Sequence, residues 1–248
     1  MTALVTGAAS GLGAATAATL AARGVQVVGV DLERSIEAAG QQADGIHLVA
    51  ADVTSESEVT AALSELAAQP PLRLVVNCAG IAPAQRILSS KGVHDLETFQ
   101  RTLNINLVGT FNVMRLAAEH MAALEPVDES GQRGVVVNTA SVAAYEGQIG
   151  QIAYAASKGG VVAMGITAAR DLARNGIRVN TVAPGIVHTP LLEALGEEVN
   201  ASLAAAVPFP ARLARPDEFA QLVCMIAEHD YLNGETIRMD GALRMGPK

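Results

Sequence analysis

Thr6-Gly7-Ala8-Ala9-Ser10-Gly11-Leu12-Gly13 is the stretch on which the reading of this chain turns. It follows a short apolar run at 3–6 and opens an alanine-rich helical stretch that stops at Arg23-Gly24. Glycines at such a strand-to-helix turn let the backbone bend sharply and approach a pyrophosphate, whose charge is drawn to the free amides of the helix start. Gly7 and Gly11 are expected to shape the turn, and Gly13 to let the helix pack closely. A Gly-rich turn alone is often only a tight turn, and the next apolar run, 26–30, adds the weight. It ends at Asp31, 18 residues past Gly13, where a carboxylate accepts hydrogen bonds from both hydroxyls of an adenosine ribose and repels a 2′-phosphate. The expected cofactor is therefore NAD rather than NADP. Asp31 can serve as a helix N-cap as well, and Arg34 is the nearby cation able to soften the preference.

Working outward, Val-rich runs at 47–50, 74–77, 135–139, 178–182 and 235–239 alternate with helical stretches. With the first two runs they make seven strands in repeated βα units, the pattern of a parallel sheet buried on both faces. No linker, low-complexity block or repeat divides the 248 residues, so 1–248 is expected to be one α/β domain. The stretches 83–92 and 125–134 read as surface loops. Between the last two strands, 188–215 carries an expected helix at 190–203 and a Pro208-Phe209-Pro210 break, a candidate lid over substrate. The first 22 residues lack charge, but the glycines and threonines within them oppose a signal peptide or membrane span.

Other strand ends supply chemistry. Asp52-Val53 is expected to hold an adenine edge, with a helix cap as the alternative for Asp52, and Asn77-Cys78-Ala79-Gly80 to lie beside the ribose. Cys78 reads as a small buried apolar residue, since no cation or His accompanies it in sequence. Tyr154 and Lys158 stand four apart on a helical stretch, hence on one face. A phenol is a poor base at neutral pH, and a neighbouring ammonium together with a nicotinamide cation would favour its phenolate. Ser141, just past the 135–139 run, is placed to hold a substrate oxygen against Tyr154. A Tyr-x-x-x-Lys pair alone is common on amphipathic helices.

Together, Thr6-Gly7-x-x-x-Gly11-x-Gly13, Asn77-Cys78-Ala79-Gly80, Asn106, Ser141, Tyr154-x-x-x-Lys158 and Pro184-Gly185 stand in the order found in the short-chain dehydrogenase/reductase family, which the chain resembles over nearly its whole length. The resemblance implies a doubly wound Rossmann fold with helices on both faces of a mostly parallel seven-stranded sheet. It makes Tyr154 the acid/base, has Ser141 position the carbonyl or hydroxyl and Lys158 hold the nicotinamide ribose, and has Asn106 support a proton-relaying water; a buried structural amide is the alternative for Asn106. Within the family, 139–151, Pro190-Leu191-Leu192, Val207-Pro208-Phe209-Pro210 and Leu232-Asn233-Gly234-Glu235 resemble members that oxidise 3-hydroxyacyl-CoA thioesters with NAD. Carried over by position, Ser10, Leu12, Asp31, Asp52, Val53, Cys78, Tyr154, Lys158, Val187 and Thr189 touch NAD, and Ser141 and Gln151 touch substrate. Val187 departs in type, the position being aromatic in a member the chain resembles, so a weaker cofactor contact is expected there. A 3-oxoacyl-carrier-protein reductase, a broad alcohol or steroid dehydrogenase and a non-catalytic NAD-binding scaffold stay open as alternatives.

Charge and composition bound the partners. With a net charge of −8 and 3% aromatics, the chain lacks the basic face that nucleic acid requires. Two cysteines, Cys78 and Cys224, make neither a disulfide framework nor a metal-ligand spacing, which suits the cytoplasm and no metal. Hydrophobic residues at 50% against 17% charged imply a large core and further covered surface. A homotetramer follows from the resemblance, and no membrane contact is expected. For an acyl-CoA substrate, Arg86 and Lys91 are candidate phosphate partners, with Leu191, Leu192, Leu195 and Phe209 as apolar cover for the acyl chain.

Overall fold

The computed structural model describes residues 1–193 and 196–247. Strands β1 (Thr2–Thr6), β2 (Gln26–Asp31), β3 (Ile46–Ala50) and β4 (Leu72–Asn77) alternate with helices α1 (Gly11–Ala22), α2 (Glu33–Ala39) and α3 (Glu56–Ser64). A short hairpin, β5 (Leu88–Ser89) and β6 (Gly92–Val93), then precedes α4 (Leu96–Leu103) and α5 (Thr110–Ala122). The chain continues through β7 (Gly134–Thr139), α6 (Ile152–Leu172), β8 (Ile177–Pro184), α7 (Pro190–Glu193), α8 (Glu197–Ala205), α9 (Pro216–Glu228) and β9 (Thr236–Met239). One sheet holds seven strands in the order β3-β2-β1-β4-β7-β8-β9, and every pairing in it is parallel. The expected strands all form, with ends within two residues of those read from sequence.

The alternation of side chains explains why the strands read as continuous apolar runs. Ala3, Val5, Leu74, Val76, Val135 and Val137 face α1 and α9, whereas Leu4, Val28, Val75, Val136 and Val179 face α3, α5 and α6. Strand order reverses between β1 and β4, and the crevice at such a switch point, above the carboxyl ends of the strands, is where open α/β sheets bind ligands. The helix α6 and its extension, 152–175, are apolar and long enough on composition alone to cross a membrane. That helix packs on β8 and buries Ser157, Lys158, Val161 and Ala169 in the molecule.

Two expectations about the loops need correction. The stretch 83–92 contains part of the β5–β6 hairpin, whose two-residue strands are too short to give a periodic signal. The helix read over 190–203 is two elements, because Gly196 takes a φ of +91° at the start of α8 and breaks the run.

The opposite edge of the sheet is fastened by three arginines. Arg73 donates to the carbonyls of Arg133 and Glu125 at 2.8 Å, Arg133 to that of Leu124 at 2.9 Å, and the buried Arg178 to those of Leu232, Ile226 and Ala227 at 2.8–3.1 Å. Among the described residues none of the three has a carboxylate partner. Each fills carbonyls that helix ends and turns leave without donors, at about 1.5–3 kcal/mol per bond to a charged donor.

Candidate active site

A cleft of about 1190 Å³ runs over the carboxyl ends of the strands. Its floor begins with the glycine turn, where Thr6 does more than end β1. Its hydroxyl accepts from the backbone N–H of both Cys78 and Ala79 at 3.1 Å, drawing the end of β4 against the turn. A side chain at Gly7 would lie 2.9 Å from the Ala79 nitrogen, and one at Gly13 would lie 2.1 Å from the Gly7 carbonyl oxygen, so neither position admits a Cβ. Ser10 precedes α1 without capping it, which leaves the first amides of the helix directed into the cleft.

Asp31 ends β2 with its carboxylate held twice, Oδ2 by the Ala9 N–H at 3.0 Å and Oδ1 by the Leu32 N–H at 2.8 Å. Leu32, not Asp31, occupies the N-cap of α2, and no side chain caps that helix. Each oxygen keeps acceptor capacity toward the cleft. Asp52 does not cap α3 either. Its Oδ1 accepts from the Thr54 N–H and hydroxyl at 2.9 and 2.8 Å, while Ser55 takes the cap. The carbonyl of Val53 is held by Asn112 at 2.9 Å. Val187 is pinned by a bridge to Ala214, and Thr189 stands against Gly11.

At the other end, Ser141 follows β7 and its hydroxyl accepts from the Ala143 N–H at 3.1 Å. Burial raises the Tyr154 phenol above its ordinary range, with hydrogen bonding to Ser141 as a weaker opposing influence. Lys158 is buried too. Its Nζ donates to the Thr139 carbonyl at 2.7 Å and lies 5.8 Å from the centre of the Tyr154 ring. Desolvation holds its ammonium down to about 8. The expected tuning of Tyr154 to phenolate by Lys158 is therefore not a property of the protein alone, because burial is the largest influence on the phenol and Ser141, not Lys158, opposes it. Cys78 behaves as the apolar filler read from sequence, its thiol pushed up to about 11 by burial.

Whether the cleft fits a dinucleotide is tested by what it leaves unsatisfied. The Lys158 ammonium has three N–H groups and one acceptor, the Thr139 carbonyl, among the described residues, so two donors await partners such as ribose hydroxyls. The bare α1 amides ask for an anion and Asp31 offers acceptors to a diol. Asp31 and Ser141 end strands three places apart, roughly 14 Å at about 4.8 Å per strand, room to lay a dinucleotide across the sheet. These residues fit such a group.

Of the site residues read from sequence, Gly7, Ser10, Gly11, Leu12, Gly13, Asp31, Asp52, Val53, Cys78, Ala79, Gly80, Ser141, Gln151, Tyr154, Lys158, Val187 and Thr189 all line this cleft. Asn106 does not line it. It sits in a widened, π-helical turn, Asn104–Gly109, between α4 and α5. There its Oδ1 accepts from the Ile81 N–H at 2.8 Å, and its Nδ2 donates to the Ile81 carbonyl at 2.8 Å and to Ser157 at 3.0 Å. The side chain thus clamps the segment after β4 to α6, the structural role held open as the alternative.

The substrate-side candidates are brought to the cleft only in part. Arg86 and Lys91 are exposed on the hairpin side and outside the cleft, and Phe209 is 82% exposed and also outside it. Leu192 lines the cleft, while Leu195 and the side chain of Leu191 lie outside the described residues. Gln148, Val199, Leu203, Met245 and Arg101 line it without having been singled out. Only tertiary packing brings them there, so their local sequence carried no signal.

A switch-point cleft with an uncapped glycine turn, an acidic β2 end and a Ser-Tyr-Lys cluster defines a nicotinamide-dependent oxidoreductase acting on a small molecule. A family model described as short chain dehydrogenase matches residues 1–200, and the chain belongs to that family. Among its relatives, a Drosophila melanogaster protein named 3-hydroxyacyl-CoA dehydrogenase type-2 is 55% identical over 249 residues, covering 98% of this chain and 97% of the relative. The Homo sapiens protein of that name is 52% identical over 252 residues, covering 100% and 96%. A crystal structure of 3-hydroxyacyl-CoA dehydrogenase type-2 from Mycobacterium avium is 45% identical, with a TM-score of 0.93 and coverage of 100% and 97%.

The state of Lys158 gives a pH signature. A lysine held lower in the native than in the unfolded chain costs stability at neutral pH, and that cost is relieved as pH rises from about 8 toward the ordinary lysine value of 10.5. The protein should gain stability relative to a Lys158→Met variant across this interval. Urea midpoints at pH 7 and pH 10 measure it, and a constant difference would contradict the desolvated ammonium.

Proposed function

We propose that this protein catalyses the NAD-dependent, reversible oxidation of 3-hydroxyacyl-CoA to 3-oxoacyl-CoA. The observation that carries the chemistry is the convergence of Ser141, Tyr154 and Lys158 at one end of a cleft whose other end presents Asp31. The substrate class is supported by the names of the relatives, which match along essentially the whole chain. Asp31 favours NAD, because its carboxylate suits a free ribose diol and repels a 2′-phosphate, and it weighs against an NADPH-dependent carrier-protein reductase.

When bound, the nicotinamide supplies the hydride acceptor in oxidation and the donor in reduction. Ser141 holds the substrate oxygen by its hydroxyl while Tyr154 exchanges the proton with that oxygen. In the reducing direction the raised Tyr154 is a phenol at neutral pH, ready to donate. In the oxidising direction it accepts the hydroxyl proton after losing its own. Lys158 directs its two spare donors to the nicotinamide ribose. Asn106, by clamping Ile81 to Ser157, fixes the helix that carries Tyr154 relative to the end of β4.

We also propose a homotetramer. Val108, Phe111, Ile152 and Ile166 leave apolar side chains exposed along the π-helical turn, α5 and α6, and among the described residues β9 ends the sheet with an unpaired edge. These surfaces suit two isologous contacts.

Three outcomes test this reading. With 3-hydroxybutyryl-CoA, kcat/KM should favour NAD over NADP by about two orders of magnitude or more, and equal efficiencies would reject the Asp31 assignment. Tyr154→Phe should lower kcat by roughly two to four orders while NADH still binds. Oxidation by the unaltered protein should climb as pH rises from neutral to alkaline, and a flat profile would deny Tyr154 its role. Light scattering at micromolar concentration should return a mass near four chains; a monomer overturns the tetramer.

A further inference from the structure

The last eight described residues, 240–247, leave β9 and bring Met245 to the cleft. Gly241 and Ala242 both take left-handed backbone, φ +58° and +66°, and Ala242 is the one non-glycine residue with positive φ among those described. An L side chain adopts that conformation only where its surroundings impose it. Here the surroundings are an ion-pair ladder. Arg238 grips Glu146 with two bonds of 2.9 Å, donates to Asp240 at 2.6 Å and reaches the Leu243 carbonyl at 3.1 Å. Asp240 in turn accepts from the Ala242 N–H at 3.0 Å and from Arg244 at 3.1 Å.

This strap is fastened to both walls of the cleft. On one side the Met245 N–H reaches Glu146 at 3.4 Å and the Ile149 N–H donates to the Pro247 carbonyl at 3.0 Å, so the strap lies along the loop that delivers Gln148 and Gln151. On the other side the Phe209 N–H donates to the Gly241 carbonyl at 3.2 Å, tying the strap to the segment that follows α8. Met245 is left lining the cleft with Gln148, Gln151, Leu192, Val199 and Leu203. Its bonded neighbours put it at the Gln151 end and away from Asp31.

We propose that Met245, held by the Arg238–Glu146 grip, is the wall that sets the length of acyl chain the enzyme accepts. The inference rests on the proposed acyl-CoA reading and adds to it a specificity residue. A thioether asks for no hydrogen bond and fits irregular apolar volume, which suits a surface meeting methylene groups. Leu192, Val199 and Leu203 come from α7 and α8 and offer the facing apolar side. Glu146 and Arg238 act through Met245 and are positioning residues.

The test measures kcat/KM for 3-oxoacyl-CoA substrates from four to twelve carbons, using the full chain and NADH. Met245→Ala opens the wall and should raise the long-to-short ratio about tenfold, in keeping with the 10–200-fold that one methylene commands in an apolar pocket. Met245→Phe should move the ratio the opposite way. Glu146→Gln, which weakens the grip, should flatten the chain-length profile, and NADH affinity measured by fluorescence should hold in all three. An unchanged profile in the two Met245 variants overturns the wall, whatever the overall rate does. If the unaltered protein reduces none of these thioesters, the proposed function itself fails and the wall with it, so the two failures are told apart by the first control.

Discussion

The cleft depends on how closely the backbone of the first turn lies against the end of β4. Two amide groups, those of Cys78 and Ala79, converge on the single hydroxyl of Thr6, and this contact leaves no room for a side chain at Gly7. Gly13 repeats the constraint one turn later by packing α1 onto the Gly7 carbonyl. Because the turn is held this tightly, the helix start is aimed across the strand ends and its amides are kept free of protein acceptors. Asp31 is drawn into the same arrangement through Ala9, so the acidic group at the end of β2 is positioned by the turn it serves.

Burial has a second effect at the far end of the cleft. Tyr154, Lys158 and Cys78 are each driven toward their neutral forms by desolvation, the phenol and thiol upward and the ammonium downward. At neutral pH the phenol and thiol are neutral while Lys158, held down to about 8, keeps its charge with one carbonyl acceptor, and the ribose hydroxyls of a bound cofactor would accept from its remaining N–H groups. The polar chain from Ile81 through Asn106 to Ser157, and on to the Tyr154 carbonyl at 2.7 Å, keeps this region ordered before anything binds.

What could be read in advance was whatever depends on local spacing. The strands were visible because burial on both faces makes each one apolar throughout, and the glycine turn, Asp31 and the Tyr154–Lys158 pair because a strand end or a helical period fixes their geometry. Asn106 is visible as a motif residue and its buried structural role as one of two readings, yet its partners Ile81 and Ser157 stand 25 and 51 positions away and local spacing does not name them. Arg86 and Lys91 carry charge near a strand end, but charge alone does not say whether a side chain enters the cleft, and both stand exposed outside its lining. Met245 went unnoticed for the opposite reason. Nothing around it is periodic, and it reaches the site through its backbone N–H bond to Glu146 and the Arg238–Glu146 ion pair, both formed across more than ninety residues.

The three arginines at the base of the sheet hold carbonyl groups, which do not titrate. At the cleft end the comparable fasteners are carboxylates: Glu146 in the grip of Arg238, and Glu218, which binds Arg212 through bonds of 2.7 and 2.8 Å and the Arg215 N–H at 2.8 Å at the start of α9. Both acids are held below the ordinary glutamate range by these partners, Glu218 down to about 2. The support they provide is complete above the ordinary glutamate value and drains away as pH falls through their lowered native values. Acid therefore acts on the two edges of one sheet unequally. It loosens the strap and the head of α9 while the arginine–carbonyl bonds at the other end of the strands stay in place, so an acidic medium opens the cleft side of the sheet before the opposite side.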